Sequence, residues 1–249
     1  MEPAERHHPA DRGRGVVAVA LVTGANKGIG SEVARQLGDR GITAIIGARD
    51  EERGRAAAER LGLPYVRLDV TDAAGVRAAA TWIEQEYGRL DILVNNAGII
   101  FDDGPPSRTT TAEARKIFET NVFGVIEVTN AMLPLLRRSP AGRIVNVSSE
   151  RGSIGRTLDQ DHPLWPMLNL AYCSSKAALN MITASYAKEL WDTPIKVNAV
   201  DPGWVKTDIN HNEGIKTPEE GAAPIVAMAL LDADGPTAGF VQHEGTLPW

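Results

Sequence analysis

Cysteine is all but missing from this chain: Cys173 stands alone, which excludes an internal disulfide and any cysteine-rich metal site. Long apolar runs are missing as well, since none approaches the ~20 residues a membrane-spanning helix needs. Positive charge is in deficit, with 26 Lys and Arg against 32 Asp and Glu. No basic stripe is available to neutralise phosphates, which argues against a nucleic-acid partner. Residues 1–15 carry Arg, Asp, Glu and His without an apolar stretch, so they do not read as a secretory signal. They read as a flexible tail, where nothing converges on His7 and His8 to make a metal site. The expectation is a reducing, cytoplasmic setting with no membrane contact.

What is present is an ordinary globular composition, 43% hydrophobic and 23% charged over 249 residues, enough for one domain with an ample core. Short β-branched apolar runs at 16–22, 43–47, 65–68, 92–94, 143–147, 195–200 and 240–242 read as buried strands. Between them, 29–40, 51–61, 73–87, 111–138, 171–191 and 218–231 read as helices, supported by alanine-rich stretches. Near-continuous apolar strands alternating with helices imply a parallel sheet covered on both faces. The fold class is therefore α/β, a doubly wound parallel sheet in a single domain over 16–249. Ligands are expected at the carboxyl ends of its strands.

Two motifs carry chemistry. Gly24-Ala25-Asn26-Lys27-Gly28-Ile29-Gly30 follows the first strand and opens the first helix. Glycines there permit a tight turn and close approach of the backbone to a pyrophosphate, which a helix N-terminus stabilises. The spacing is not that of a triphosphate-binding P-loop, because no Gly-Lys-Ser/Thr closes it. The second motif is Tyr172-Cys173-Ser174-Ser175-Lys176, in which a phenol and an ammonium lie one helical turn apart on one face. A phenol titrates near ~10, and drawing it down ~3 units takes about 4 kcal/mol, which a neighbouring cation helps supply.

With these residues in order, the chain resembles the short-chain dehydrogenase/reductase family, in its compact, carbonyl-reductase-like branch. The resemblance runs from Val16 to Trp249. It rests on the glycine loop, Asp69-Val70, Asn95-Asn96-Ala97-Gly98, Asn121, Ser149, Tyr172 with Lys176, and the segment Pro202-Gly203-Trp204-Val205-Lys206-Thr207. It implies a Rossmann-type sheet and NADP(H) as cofactor. Asp69 would bond the adenine, with Val70 beside it. Asn95, Ala97 and Gly98 would pass under the ribose, and Val205 and Thr207, after Pro202-Gly203, would hold the carboxamide. Ala48 stands where an acid would select NAD, while Arg49 and Lys27 offer cations for a 2′-phosphate.

The same resemblance makes Tyr172 the general acid of carbonyl reduction and Ser149 a hydrogen-bond donor to the same oxygen, with Ser148 as its rival. Lys176 would bond the nicotinamide ribose and lower the pKa of Tyr172, and Asn121 would hold a water linking Lys176 to solvent. Ile100, Glu150, Trp165, Met167 and Trp204 are the candidate substrate contacts. The connection from Ser149 to Tyr172 is longer than the family commonly has; in it Trp165 and Met167 either wall the pocket or anchor the loop. An insertion here obstructs the usual helix-to-helix contact in monomeric carbonyl reductases, which favours a monomer or homodimer over a tetramer. The function implied is NADPH-dependent reduction of a small-molecule ketone or aldehyde. A catalytically silent dinucleotide sensor and a sugar-nucleotide epimerase or dehydratase are the alternatives. His211 reads as an exposed loop residue.

Overall fold

The computed structural model describes residues 17–101 and 104–249, so the expected tail, with His7 and His8, and the expected strand start at Val16 lie outside the described residues. Strands β1 (Val19–Thr23), β2 (Thr43–Ala48), β3 (Tyr65–Arg67), β4 (Ile92–Asn95), β5 (Arg143–Val147), β6 (Lys196–Val200), β7 (Phe240–Gln242) and β8 (Gly245–Thr246) form one sheet in the order 3-2-1-4-5-6-7-8. All neighbours are parallel except β7 and β8. The order reverses between β1 and β4, the point at which doubly wound sheets open a crevice for ligand.

The alternation of strand side chains fills two cores. Leu21, Ile45, Leu93 and Ile144 face a layer formed by α3 (Ala73–Tyr87), α5 (Gly124–Leu136) and α7 (Leu170–Glu189). Ala20, Val22, Ile46 and Val145 face α1 (Gly28–Gly38), α2 (Glu51–Leu61) and α8 (Pro218–Ala229). Burial on both faces explains why the strands read as unbroken apolar runs. Helix starts follow local chemistry: Asp50 caps α2 by accepting the Arg53 N–H, and Thr217 with Glu220 forms a capping box on α8.

One expectation needs correction, and two elements were not foreseen. The helix expected over 111–138 is broken into α4 (Thr111–Phe118), a π-turn (Glu119–Phe123) and α5. The turn swings Asn121 inward, where its amide bonds the Ile99 backbone in both directions; such π-turns recur at functional sites. The strand β8 was not anticipated, being two residues long. Within the long Ser149–Tyr172 connection, Ser153 caps a short helix, α6 (Ile154–Thr157).

Candidate active site

The glycine loop leaves β1 with Gly24 and Gly28 in the left-handed region, at φ 66° and 55°. A Cβ on Gly24 would lie 3.0 Å from the Ala97 backbone, and one on Gly30 would collide with the Asn96 amide. Lys27 is the N-cap of α1 but makes no side-chain cap bond, and no acid stands in the first turn. The first amides of α1 thus have no capping side chain, and this helix start is the surface a pyrophosphate fits. Asn96 fastens the loop, its amide donating to Thr23 O at 2.8 Å. Ala97 and Gly98 lie along the same edge, Gly98 close to both Asn121 and Lys176.

Asn95 is not directed at this edge. Its amide reaches across the sheet to Thr129 and Asn146, so its side chain braces β4 against β5 instead of meeting a ribose. Asp69 turns on its own loop, accepting both the backbone and the hydroxyl of Thr71, and Val70 is buried against Gly124. Arg49 is exposed at the tip of β2, next to the buried Ala48. Lys27 lies farther round: its ammonium pairs with Asp208 at 2.7 Å, drawing the glycine loop to the segment that carries Thr207. Pro202 is buried, and Gly203 turns the chain at φ 80°. Val205 is 3% exposed and packs on Gly221, leaving only its backbone for a carboxamide, while the Thr207 methyl lies against Gly28.

On the opposite wall, Asn169 caps α7 and accepts the Tyr172 N–H at 2.9 Å, fixing the start of the catalytic turn. The Ser149 side chain lies beside the Tyr172 phenol and favours its ionised form. The Ser148 hydroxyl points elsewhere and donates to Asn180 at 2.5 Å. Lys176, 6% exposed, donates to the Val147 carbonyl at 2.8 Å and lies 5.5 Å from the Tyr172 ring centre. Asn121 donates to Ser175 at 3.1 Å, one residue from Lys176.

The electrostatics depart from the expected ones. Burial pushes the Tyr172 phenol up to about 12, the Arg151 guanidinium opposes this most, and the Ser149 side chain opposes it less. Arg151 itself stacks 5.5 Å from the ring centre, so the cation that counts most for the phenol is Arg151 and not Lys176. Burial draws the Lys176 ammonium down to about 8, against the pull of Asp201. A phenol at about 12 keeps its proton at neutral pH and is set up as a donor.

Of the candidate substrate contacts, Glu150 faces His162 at 3.4 Å, a link between the inserted segment and the turn after Ser149. Trp165 and Trp204 stand 45% and 44% exposed, while Met167 and Ile100 are half-buried. His211 is an exposed loop residue at φ 53°. Sequence reasoning missed Arg151, Gly152, His162 and Asp201. The one signal available for Asp201 was an acid ending an apolar strand just before Pro-Gly.

A phenol, a serine hydroxyl and a buried ammonium meet at the carboxyl ends of β5 and β6, across from an uncapped glycine turn. Residues 18–217 match the family described as short chain dehydrogenase. The chain belongs to that family. This short-chain dehydrogenase is 36% identical over 283 residues to carbonyl reductase [NADPH] 1 of Mus musculus, covering 93% of this chain and 98% of that one. It is 36% identical over 291 residues to short-chain dehydrogenase/reductase 1 of Saponaria officinalis, covering 92% and 95%. Among solved structures, the NADPH-bound carbonyl reductase from chicken fatty liver superposes with a TM-score of 0.81 at 30% identity, over 94% of this chain and 99% of that one. The short-chain dehydrogenase described here is accordingly a carbonyl-reductase-like oxidoreductase acting between alcohol and carbonyl. Among its described residues no helix is long and apolar enough to cross a membrane.

Proposed function

We propose that the protein reduces a ketone or aldehyde to an alcohol with NADPH, Tyr172 serving as the general acid. The observation that carries this reading is the Tyr172 phenol, set beside Ser149 with Lys176 5.5 Å from its ring centre, and still protonated at neutral pH. When bound, the cofactor supplies a hydride to the carbonyl carbon. Tyr172 gives its proton to the carbonyl oxygen, and the Ser149 hydroxyl donates a hydrogen bond to the same oxygen, which holds the carbonyl in line. Arg151 and Lys176 each hold positive charge 5.5 Å from the Tyr172 ring centre, favouring the phenolate left behind. Asn121 fixes the Ile99 backbone and Ser175, and so the floor beneath Lys176.

The choice of NADPH is supported by the exposed Arg49 at the tip of β2, with no acid at Ala48. The names of the related carbonyl reductases point the same way. Exposed Trp165 and Trp204 favour a bulky, apolar carbonyl compound, and Glu150 disfavours an anionic one. The inserted segment around α6 favours a monomer or homodimer.

The test is consumption of NADPH and of NADH across a panel of aldehydes and ketones. Turnover of bulky uncharged carbonyls with NADPH ahead of NADH is the expected result. Tight NADPH binding without turnover of any member would sink the enzymatic reading, and a preference for NADH would sink the cofactor assignment.

A further inference from the structure

Ser148, the serine that the reaction leaves unused, belongs to a row of contacts between β5 and α7. Asn146 in β5 and Ser148 just past its end are two apart, so their side chains face the same side of the sheet. The Ser148 N–H still donates to the Val200 carbonyl at 2.7 Å, which keeps the strand geometry to this point. On α7, Lys176, Asn180 and Thr183 stand at i, i+4 and i+7, one stripe of the helix. The two rows meet in pairs. The Asn146 amide donates to the Thr183 hydroxyl at 2.9 Å, and the Ser148 hydroxyl donates to Asn180 Oδ1 at 2.5 Å. Between them the Lys176 ammonium donates to the Val147 carbonyl at 2.8 Å. Asn146, Ser148, Asn180 and Thr183 are all buried.

A helix stripe turned to a sheet is ordinarily apolar, and a buried amide or hydroxyl is costly unless it is hydrogen-bonded. Here the stripe is polar, and Asn180 keeps a cost: its Nδ2 is buried and meets no acceptor among the described residues. What polar pairs give and apolar ones do not is a fixed offset. Apolar side chains stay in contact through a small slide, whereas a shift of about 1 Å breaks a hydrogen bond. A lone polar residue fixes the register of packed helices in the same way. The offset of α7 along β5 matters because Ser149 ends the one and Tyr172 begins the other.

We propose that Ser148, Asn180 and Thr183 are positioning residues of the carbonyl-reducing site, which with Asn146 index α7 along β5 and so set where Tyr172 and Lys176 stand relative to Ser149. Only the kinetic arm of the test rests on the proposed reductase activity.

The first test sets two Thr183 variants side by side. Thr183→Val keeps the shape and loses the bond to Asn146, while Thr183→Ser keeps the bond and loses a buried methyl. Thr183→Val should lower kcat about 10-fold or more, given that a 1 Å misplacement costs on the order of 100-fold. Thr183→Ser should lose stability and keep kcat near wild type. The KM for NADPH should hold in both, since the glycine loop lies on the opposite wall. The second test adds Asn180→Leu to Ser148→Ala. Stability lost in Ser148→Ala should return in the double variant, where neither partner is left unpaired, while kcat stays low. A wild-type kcat in Thr183→Val, or a kcat that returns with stability in the double variant, would overturn the proposal. A crystal structure of the double variant gives an arm free of kinetics. The Lys176–Val147 separation should lengthen beyond 2.8 Å, and an α7 that has not moved along β5 would overturn the proposal by itself. A wild type that turns over no carbonyl would overturn the proposed activity instead, and the crystal structure would still decide what indexes α7.

Discussion

Gly152 offers a probe of how closely the catalytic helix is held. It ends the short turn that begins after Ser149, and its N–H donates to the Ser149 carbonyl at 2.8 Å. Its φ is not positive, so alanine suits the backbone there. Space does not: a Cβ at this position would lie 2.6 Å from the Lys176 carbonyl carbon, 2.8 Å from the Lys176 Cβ and 2.9 Å from the Ala177 nitrogen. All three belong to the catalytic turn of α7, and none is the free end of a flexible side chain. Ordinary carbon–carbon contact begins near ~3.5 Å, so turn and helix must part by about 1 Å. Overpacking of this kind costs about 1–3 kcal/mol. Misplacing a reacting group by about 1 Å costs on the order of 100-fold in rate. Gly152→Ala should therefore lower the denaturant midpoint moderately and kcat/KM for the carbonyl far more. NADPH affinity should change little, since the glycine loop lies on the opposite wall. Denaturant unfolding, steady-state kinetics and cofactor titration on one preparation check this. A Gly152→Ala enzyme with wild-type kcat would refute the claim that this contact sets the Ser149–Tyr172–Lys176 geometry.

The cofactor assignment predicts that Arg49→Asp lowers kcat/KM with NADPH about 100-fold, near 3 kcal/mol, and leaves the value with NADH level or higher; equal losses with both cofactors would contradict it. The buried ammonium predicts a cost to stability. Lys176 falls from 10.5 to about 8, so above pH 8 the unfolded chain binds more protons and stability rises with pH toward 10.5. Lys176→Met should accordingly gain about 1–3 kcal/mol at pH 7, a gain that fades as pH approaches 10. Chemical denaturation at the two pH values reads it, and a variant less stable than wild type at pH 7 would count against the cost.

The sheet and most helices were legible because strands covered on both faces carry unbroken apolar runs, and the helices between them have a different period. The break at Asn121 was not, since a π-turn inserted in an apolar helical stretch disturbs the period by only one residue. The glycine loop and the Tyr172–Lys176 pair could be read because each is local in sequence. Side-chain directions across long separations could not. Lys27 meets Asp208, 181 residues away, and Asn95 looks across the sheet to Asn146. The influence of Arg151 on Tyr172 and the burial of Asp201 likewise exist only once the ends of β5 and β6 lie against α7.

Tyr172→Phe bears most directly on the central claim, because it removes the one proton donor and leaves the ring, Ser149 and Lys176 in place. Single-turnover oxidation of bound NADPH by a carbonyl substrate, measured beside NADPH affinity, separates chemistry from binding. The expected result is a rate reduced by on the order of 100-fold or more with affinity close to wild type. A variant that oxidises NADPH at the wild-type rate would show that the proton comes from elsewhere.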